Sequence, residues 1–361
     1  MLLALSPVFH VTDQDGNKIR DESILEDIRE LLDSRFLSLS GRSEGVKLSM
    51  DHTLIELTGH DRPGLLSEVS AVLNDLQWNV ANADVWTHNS RAAAVMQITD
   101  EETGSAITDP EKLSKIERLL CNVIKSGNKS GEAKTVVAQR ITHTERRLHQ
   151  MMFADCDYER LDDDGLDEKQ RPSVNVVDLH DKGYSVVTIQ SKDRPKLLFD
   201  MVCTLTDMQY VVYHANVEAE GLGAYQEYYI RHIGGFRVSS DAERQRLITC
   251  LQAAIERRVS EGWKLELCTR NRFGLLSHVT RIFRENSLTV TRAEVTTRED
   301  MAVSTFYVRD ASGYPVDVKT IDSIRKEIGL AILHVKACPE ELKPVPQESS
   351  TRFLFGGLFK S

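Results

Sequence analysis

One short string occurs three times in this 361-residue chain and constrains its fold more than any other feature: Asp61-Arg-Pro-Gly-Leu-Leu66, Asp193-Arg-Pro-Lys-Leu-Leu198 and Asn271-Arg-Phe-Gly-Leu-Leu276. Self-similarity of this kind marks one structural unit used repeatedly. The flanks repeat as well. Upstream, Ile55 and Leu57, Val187 and Ile189, and Leu265 and Leu267 alternate with period two, which predicts a strand with one buried face. Downstream the period becomes helical. Leu66, Val69, Val72, Leu73 and Leu76 in the first copy share one face of a three-turn helix, as do Leu198, Met201, Leu205 and Met208 in the second and Leu276, Val279, Ile282 and Phe283 in the third. Ala83, Ala215 and Ala293 then follow at one fixed offset from the turn position held by Gly64, Lys196 and Gly274.

Each copy continues with another strand (Ala93 to Thr99, Tyr225 to His232, Val303 to Arg309) and a second amphipathic helix (near Glu111 to Lys125, Ser240 to Arg258, Val318 to Ile328). A last strand is expected over Thr135 to Ile141 and Ile332 to Ala337. The order β-α-β-β-α-β predicts an α+β fold of tandem ferredoxin-like modules, each an antiparallel sheet with both helices on one face. The bare face of each sheet then needs a cover, which a neighbouring module can supply.

These patterns place modules at residues 51–142, 184–260 and 263–338. The intervening residues 143–183 read as a polar linker helix, Thr144 to Met152, running into an acidic loop, Asp155 to Gly165. At the N-terminus, Phe9 to Ile19 lines up with Phe306 to Val316, and Ile24, Ile28, Leu31 and Leu32 follow at helical spacing. Residues 1–35 therefore read as the C-terminal half of a further module whose first half would lie upstream of Met1, as in a truncated or alternatively started product. That segment is expected to be the least self-sufficient part of the fold. Residues 339–361 read as a flexible tail with an apolar tip, Phe353 to Phe359.

Charge and composition narrow the function classes. A net charge of −10 with no local basic stripe argues against direct nucleic-acid binding. No apolar run approaches the roughly 18 residues of a spanning helix, and the first residues lack the basic start of a signal peptide, so no membrane role and a cytoplasmic and/or nuclear location are expected. The six cysteines are far apart and form no C-x-x-C, which predicts reduced thiols rather than disulfides or a thiolate metal site.

Strand, Asp61-Arg-Pro-Gly-Leu-Leu66, helix and then Asn79-Val-Ala-Asn82-Ala on the next strand together resemble the ACT domain, a small regulatory module that binds amino acids and controls metabolic enzymes. The repetition, the His143-Thr-Glu-Arg-Arg-Leu-His149 linker and the lack of room for a catalytic domain resemble the plant ACT-domain-repeat proteins. Their modules in turn resemble the regulatory tail of the bacterial nitrogen-sensing uridylyltransferase. The resemblance implies that modules pair side by side and that an effector sits between two of them. It would be held by the first strand-to-helix turn and the start of the second strand. The first copy then supplies Asp61, Gly64, Leu65, Asn79 and Asn82, and the last supplies Asn271, Gly274, Leu275 and Thr289. A glycine lets backbone approach a ligand, and a helix N-terminus offers free N–H groups to a carboxylate. The middle copy departs from the pattern, with Lys196 for the glycine and Val211 for Asn79. The same turn also serves folding alone, since Pro presets φ, Gly relieves strain and Asp caps a helix. Leu66 and Leu276 are expected in the core.

Other constellations fail on context. His180-Asp181 precedes a strand and has no helical partner ligands. Asp155-Cys-Asp157 reads as a solvated acidic loop, and His143 with His149 lacks the i, i+4 spacing of a helical zinc pair. No metal, cofactor or catalytic group is expected. The leading expectation is a non-enzymatic amino-acid sensor with glutamine as first candidate ligand. The alternatives are a protein-interaction scaffold or homo-oligomer joined through module seams, or a regulatory subunit of a separate enzyme or kinase.

Overall fold

The string that opens each copy folds as a tight turn, and its chemistry explains the shape. In a computed structural model of the protein, the Leu65 N–H donates to the Arg62 carbonyl at 3.1 Å, with Pro63 and Gly64 between them and Gly64 at φ 82°, ψ 0°. That is a type II turn, in which proline presets the first central φ and the second must be positive. Residues 52–125, 133–138, 143–159, 172–179, 182–221, 223–258, 262–298, 300–312 and 316–336 are described by the structure. The chain divides into two units at Met50, and all described residues belong to the second, Asp51–Ser361. The half module expected over residues 1–35 and the tail expected over 339–361 lie outside the described residues.

The first module comprises β1 (Thr53–His60), α1 (Leu65–Asp75), β2 (Trp78–His88), β3 (Arg91–Asp100), α2 (Pro110–Lys125) and β4 (Lys134–Ala138). A further helix, α3 (Thr144–Ala154), follows. The middle module is built from β5 (Ser173–Leu179), β6 (Tyr184–Lys192), α4 (Leu197–Asp207), β7 (Tyr210–Glu220), β8 (Gly223–His232) and α5 (Asp241–Glu256). The last contains β9 (Trp263–Arg270), α6 (Leu275–Glu285), β10 (Leu288–Arg298), β11 (Met301–Asp310), α7 (Val318–Ile328) and β12 (Leu333–Lys336). The antiparallel sheets with helices are the expected ferredoxin-like α+β fold.

The first and last modules, not sequence neighbours, join edge to edge. Strands β2 and β10 pair antiparallel, Asn82 to Trp86 against Thr296 to Arg292, giving one eight-stranded sheet in the order β12-β9-β11-β10-β2-β3-β1-β4. Helices α1 and α6 pack against each other over the seam, and one apolar core including Leu73, Trp78, Val85, Phe283 and Val295 runs through both modules.

The middle module forms its own four-stranded sheet, β5-β6-β8-β7. Its fourth strand, β5, comes from upstream: Ser173–Leu179 lies within the stretch expected as linker helix and acidic loop, and pairs with β6 where the other modules use their final strand. Helix α3 covers the face of the first module's sheet opposite its helices. Leu54, Trp86, Ala93 and Val95 point that way and pack on Leu148, Met151 and Met152, while the alternate residues Ile55, Ala94 and Met96 face the helices. Helix α4 packs on α3 from the other side. Among the described residues no helix is long and apolar enough to cross a membrane.

Candidate functional site

The seam between β2 and β10 creates two cavities, each made from the turn of one module and the second strand of the other. The first, about 40 Å³, is lined by Asp61, Gly64 and Leu65 of the first turn together with Phe283, Leu288 and Thr289 of the last module. The second, about 30 Å³, joins Asn271, Gly274 and Leu275 to Asn74, Trp78 and Asn79 of the first module. Either volume exceeds what a single water needs. The residues grouped by copy in the sequence are thus exchanged in space: Asp61 and Gly64 meet Thr289, not Asn79, while Asn271 and Gly274 meet Asn79. Asn82 lines neither cavity. It sits on β2 at the seam, opposite Thr296, and its amide donates to Gln97 Oε1 at 2.8 Å.

Both glycines are required by local geometry. Gly64 (φ 82°) and Gly274 (φ 72°) hold left-handed backbone at the N-termini of α1 and α6, neither of which has a side-chain cap. A Cβ on Gly64 would stand 2.8 Å from Arg284 Cδ, and one on Gly274 would stand 2.6 Å from Asn74 Oδ1. Each turn is therefore pressed against the facing helix across the seam. Arg62 holds the first turn in place: its guanidinium donates to both oxygens of Glu68, at 2.7 and 2.5 Å, and to the Val123 carbonyl at 3.0 Å. Leu66 is buried as expected, and Leu276 is half-buried.

The two cavities differ in charge. Asp61 carries a carboxyl where the second cavity has the neutral amide of Asn271. Burial pushes the Asp61 pKa up to about 6, against the opposing pull of the Arg62 backbone, the Arg309 charge and the Thr87 hydroxyl. A second acidic strain lies at the centre of the seam, where Asp84 stands opposite Glu294. Burial, with Glu294 and Glu145 nearby, raises Asp84 to about 6 as well.

The middle turn does something else. Lys196 adopts the same left-handed conformation (φ 66°) at the price of strain a glycine would avoid, and its ammonium pairs with Glu145 of α3 at 2.6 Å. Around it lies a buried polar cluster that ties α3 and the middle module to the first sheet. Asp200 accepts from Arg194 (2.7 Å) and Arg258 (2.9 Å) and bonds His149 Nε2 at 2.7 Å. Arg258 stacks over Trp86, 4.5 Å from the ring centroid, and His149 meets the same ring edge-on at 5.1 Å. Asp157 is completely buried and binds Arg257 through both oxygens and His88 at 3.2 Å. This corrects the reading of Asp155-Cys-Asp157 as solvated loop: Asp157 folds inward because Arg257, just past the end of α5, and His88 pair with it. Burial would lower His88, but its bonds to Asp157 and Glu256 outweigh that and raise it; burial, helped by Arg257 and Arg258, lowers His149. Spacing within one copy could not reveal this cluster. The available signal was His149 within the apolar stripe Leu148, Met151, Met152, and the paired arginines 257 and 258. Among the described residues no group of three potential ligands is placed to hold a metal.

Comparison with known proteins agrees with the repeat. A family model described as the ACT domain matches residues 53–121 and 264–326, the two modules that share the seam. The chain is 63% identical over 363 residues to the ACT domain-containing protein ACR4 of Arabidopsis thaliana, covering 98% of this chain and 80% of that protein. It is 42% identical over 77 residues to a bifunctional uridylyltransferase/uridylyl-removing enzyme of Nitrobacter winogradskyi, covering 21% of this chain and 8% of the enzyme. Among solved structures, a putative glycine cleavage system transcriptional repressor aligns over 57% of this chain and 92% of its own, at 14% identity and a TM-score of 0.21.

Proposed function

Because the chain belongs to the family of ACT domain-containing ACR proteins, we propose that it is a non-catalytic regulatory protein that senses a free amino acid at the seam of its first and last modules. The observation that carries this reading is the exchange of parts across the seam: neither cavity exists in a single module, so a ligand that fills one contacts both. In the first cavity the ligand's ammonium faces Asp61 and its carboxylate faces the uncapped start of α1, where first-turn N–H groups and the helix dipole favour an anion. Leu65 and Phe283 wall the side chain, and Thr289 contributes a hydroxyl from the partner module. The second cavity, with Asn271, Gly274, Leu275 and Asn79, offers the same turn without the carboxylate and so is the weaker site for a zwitterion. Glutamine is the first ligand to test, on the likeness of one module to the uridylyltransferase. The middle turn is committed to Glu145 and takes no ligand.

Signalling then follows from differential affinity. A ligand bridging Asp61 and Thr289 favours the joined arrangement of β2 and β10 over any loosened one, and shifts the balance by no more than that difference. Titration calorimetry with each of the twenty amino acids tests the proposal. Heat of binding is expected for at least one, glutamine foremost, and is lost in Gly64→Val. A complete absence of heat with the wild-type chain would sink it.

A further inference from the structure

The first and last modules show two ways of finishing the sheet face that lies opposite the helices, and the middle module follows neither. On the first module α3 covers that face: Leu148, Met151 and Met152 rest on Leu54, Trp86, Ala93 and Val95, and Arg147 binds both oxygens of the buried Glu56 at 2.6 Å. On the last module the face is polar instead. Lys264, Thr296 and Thr305 stand where the first has Leu54, Trp86 and Val95, and its carboxylate, Glu266, is paired with Lys264 at 2.5 Å. The middle module keeps the apolar character without the cover. Its helices α4 and α5 pack on Val187, Ile189, Tyr228 and Ile230, so the alternate residues Tyr184, Val186, Tyr225 and Tyr229 face the other way. Beside them Val177 of β5 is 47% exposed. A carboxylate sits among these apolar residues too. In the first module Glu56 lies across from Val95, and in the middle one Thr188 lies across from Glu227. The acid has thus moved to the neighbouring strand, about 5 Å away on the same face. Glu227 accepts from the Tyr229 hydroxyl at 2.6 Å, the Asn216 amide at 3.2 Å and the Tyr225 hydroxyl at 3.4 Å, and among the described residues no lysine or arginine pairs with it. The arginine of this face, Arg231, lies toward one end, where it bonds the Lys182 carbonyl at 3.0 Å and stacks over Tyr213.

We propose that this face is a docking site for a basic amphipathic helix of a partner protein, laid over β6 and β8 as α3 lies on the first module, with its apolar stripe on Tyr184, Val186 and Tyr229 and an arginine or lysine on Glu227. Tyrosine rings and a carboxylate both attract a cation, and the stripe covers apolar surface that is otherwise wet. Rings on the central strands of such a sheet could also stack on nucleic-acid bases, but Glu227, with Glu218 across from Tyr225, repels phosphate and decides between the two. The chain's own segment of helical spacing, Ile24 to Leu32, carries Glu26, Asp27 and Glu30 against one arginine, which is the wrong charge for this surface. The site shares no residue with either seam cavity, so a failed amino-acid titration leaves it standing.

The probe is a fluorescein-labelled peptide with leucines at helical spacing flanked by arginines, and its control is the same peptide with glutamates for the arginines. Anisotropy titration with the full chain should show saturable binding of the arginine peptide alone, weakening as salt is raised. Glu227→Lys should cut that affinity at least about tenfold with the melting temperature unchanged, whereas Glu111→Lys, the same charge change on the exposed start of α2, should not. Hydroxyl-radical footprinting should find Tyr225 and Tyr229 open to oxidation in the free chain and shielded by the arginine peptide. Failure of the arginine peptide to bind overturns the proposal, as does equal binding of the glutamate peptide or an equal loss in Glu227→Lys and Glu111→Lys. Tighter binding of single-stranded oligouridine than of the peptide would show a nucleic-acid face instead, and tyrosines already shielded in the free chain would show a face covered from within.

Discussion

Replacing Asp61 by asparagine should make the free protein more stable while weakening its hold on a zwitterion. The carboxyl is pushed from 3.8 to about 6 chiefly by burial in the first cavity. A shift of about two units corresponds to at most about 3 kcal/mol at neutral pH, at 1.36 kcal/mol per unit. The sign follows from proton counts. Between pH 4 and 6 the folded state keeps the Asp61 proton while the unfolded chain has released it, so wild-type stability falls as pH rises through that window and is level above it. Asparagine removes the charge without changing the shape, and Asn271 at the matching position shows that the turn accepts it. Urea denaturation from pH 4 to 8 should therefore give a gain for Asp61→Asn that is absent near pH 4, grows to pH 6 and then holds. An ammonium-bearing ligand needs the ionised form, so wild-type affinity should rise close to tenfold per pH unit below 6 and flatten above, while the variant binds weakly at every pH. A variant less stable than wild type at pH 7.5, or two parallel pH profiles, would refute the account of Asp61 as a strained ligand group.

Asp157→Ala should cost about 3–5 kcal/mol in chemical denaturation, because it strands the buried Arg257 without its carboxylate; the double variant Asp157→Leu with Arg257→Leu should recover most of that loss. Gly274→Val should lower stability by about 1–2 kcal/mol through its left-handed backbone alone, and close the second cavity while leaving the first able to bind in calorimetry. Lys196→Gly relieves strain in the middle turn but gives up the pairing with Glu145, so its melting temperature should stay within a few degrees of wild type.

The turns and their flanking elements were legible because each depends on short-range physics: a positive φ in the turn, preceded by proline in two of the three copies, period two before it, period 3.6 after. Which copies face each other was not. Spacing tells which residues belong to one module, and chain order favours neighbours, yet the pairing joins the first module to the last and exchanges Asn79 with Thr289. Strand β5 escaped notice because it is an edge strand in which only Val176 is well buried, so its alternation is faint. Asp157 was misread because a run of acids reads as solvated, and its partners Arg257 and His88 are remote in sequence. Such a pairing leaves no local trace. Nor do the longer reaches of the network at Asp200, whose partners His149 and Arg258 lie 51 and 58 residues away.

The middle module is complete within one continuous stretch, residues 172–258, because β5 precedes the rest of it. It is nested inside a pair whose halves lie at either end of the described chain. Trp86 and Arg292, partners across the seam, are about 200 residues apart. At a synthesis rate of roughly 5–20 residues per second, the first module waits some tens of seconds on the ribosome with its joining edge open. Its far face can meanwhile receive α3 and the finished middle module, which arrive in order and hold Trp86 between His149 and Arg258. Assembly is thereby sequenced: the two seam cavities can form only after β10 has been made, and a chain cut short before β10 keeps its packed centre but lacks both of them.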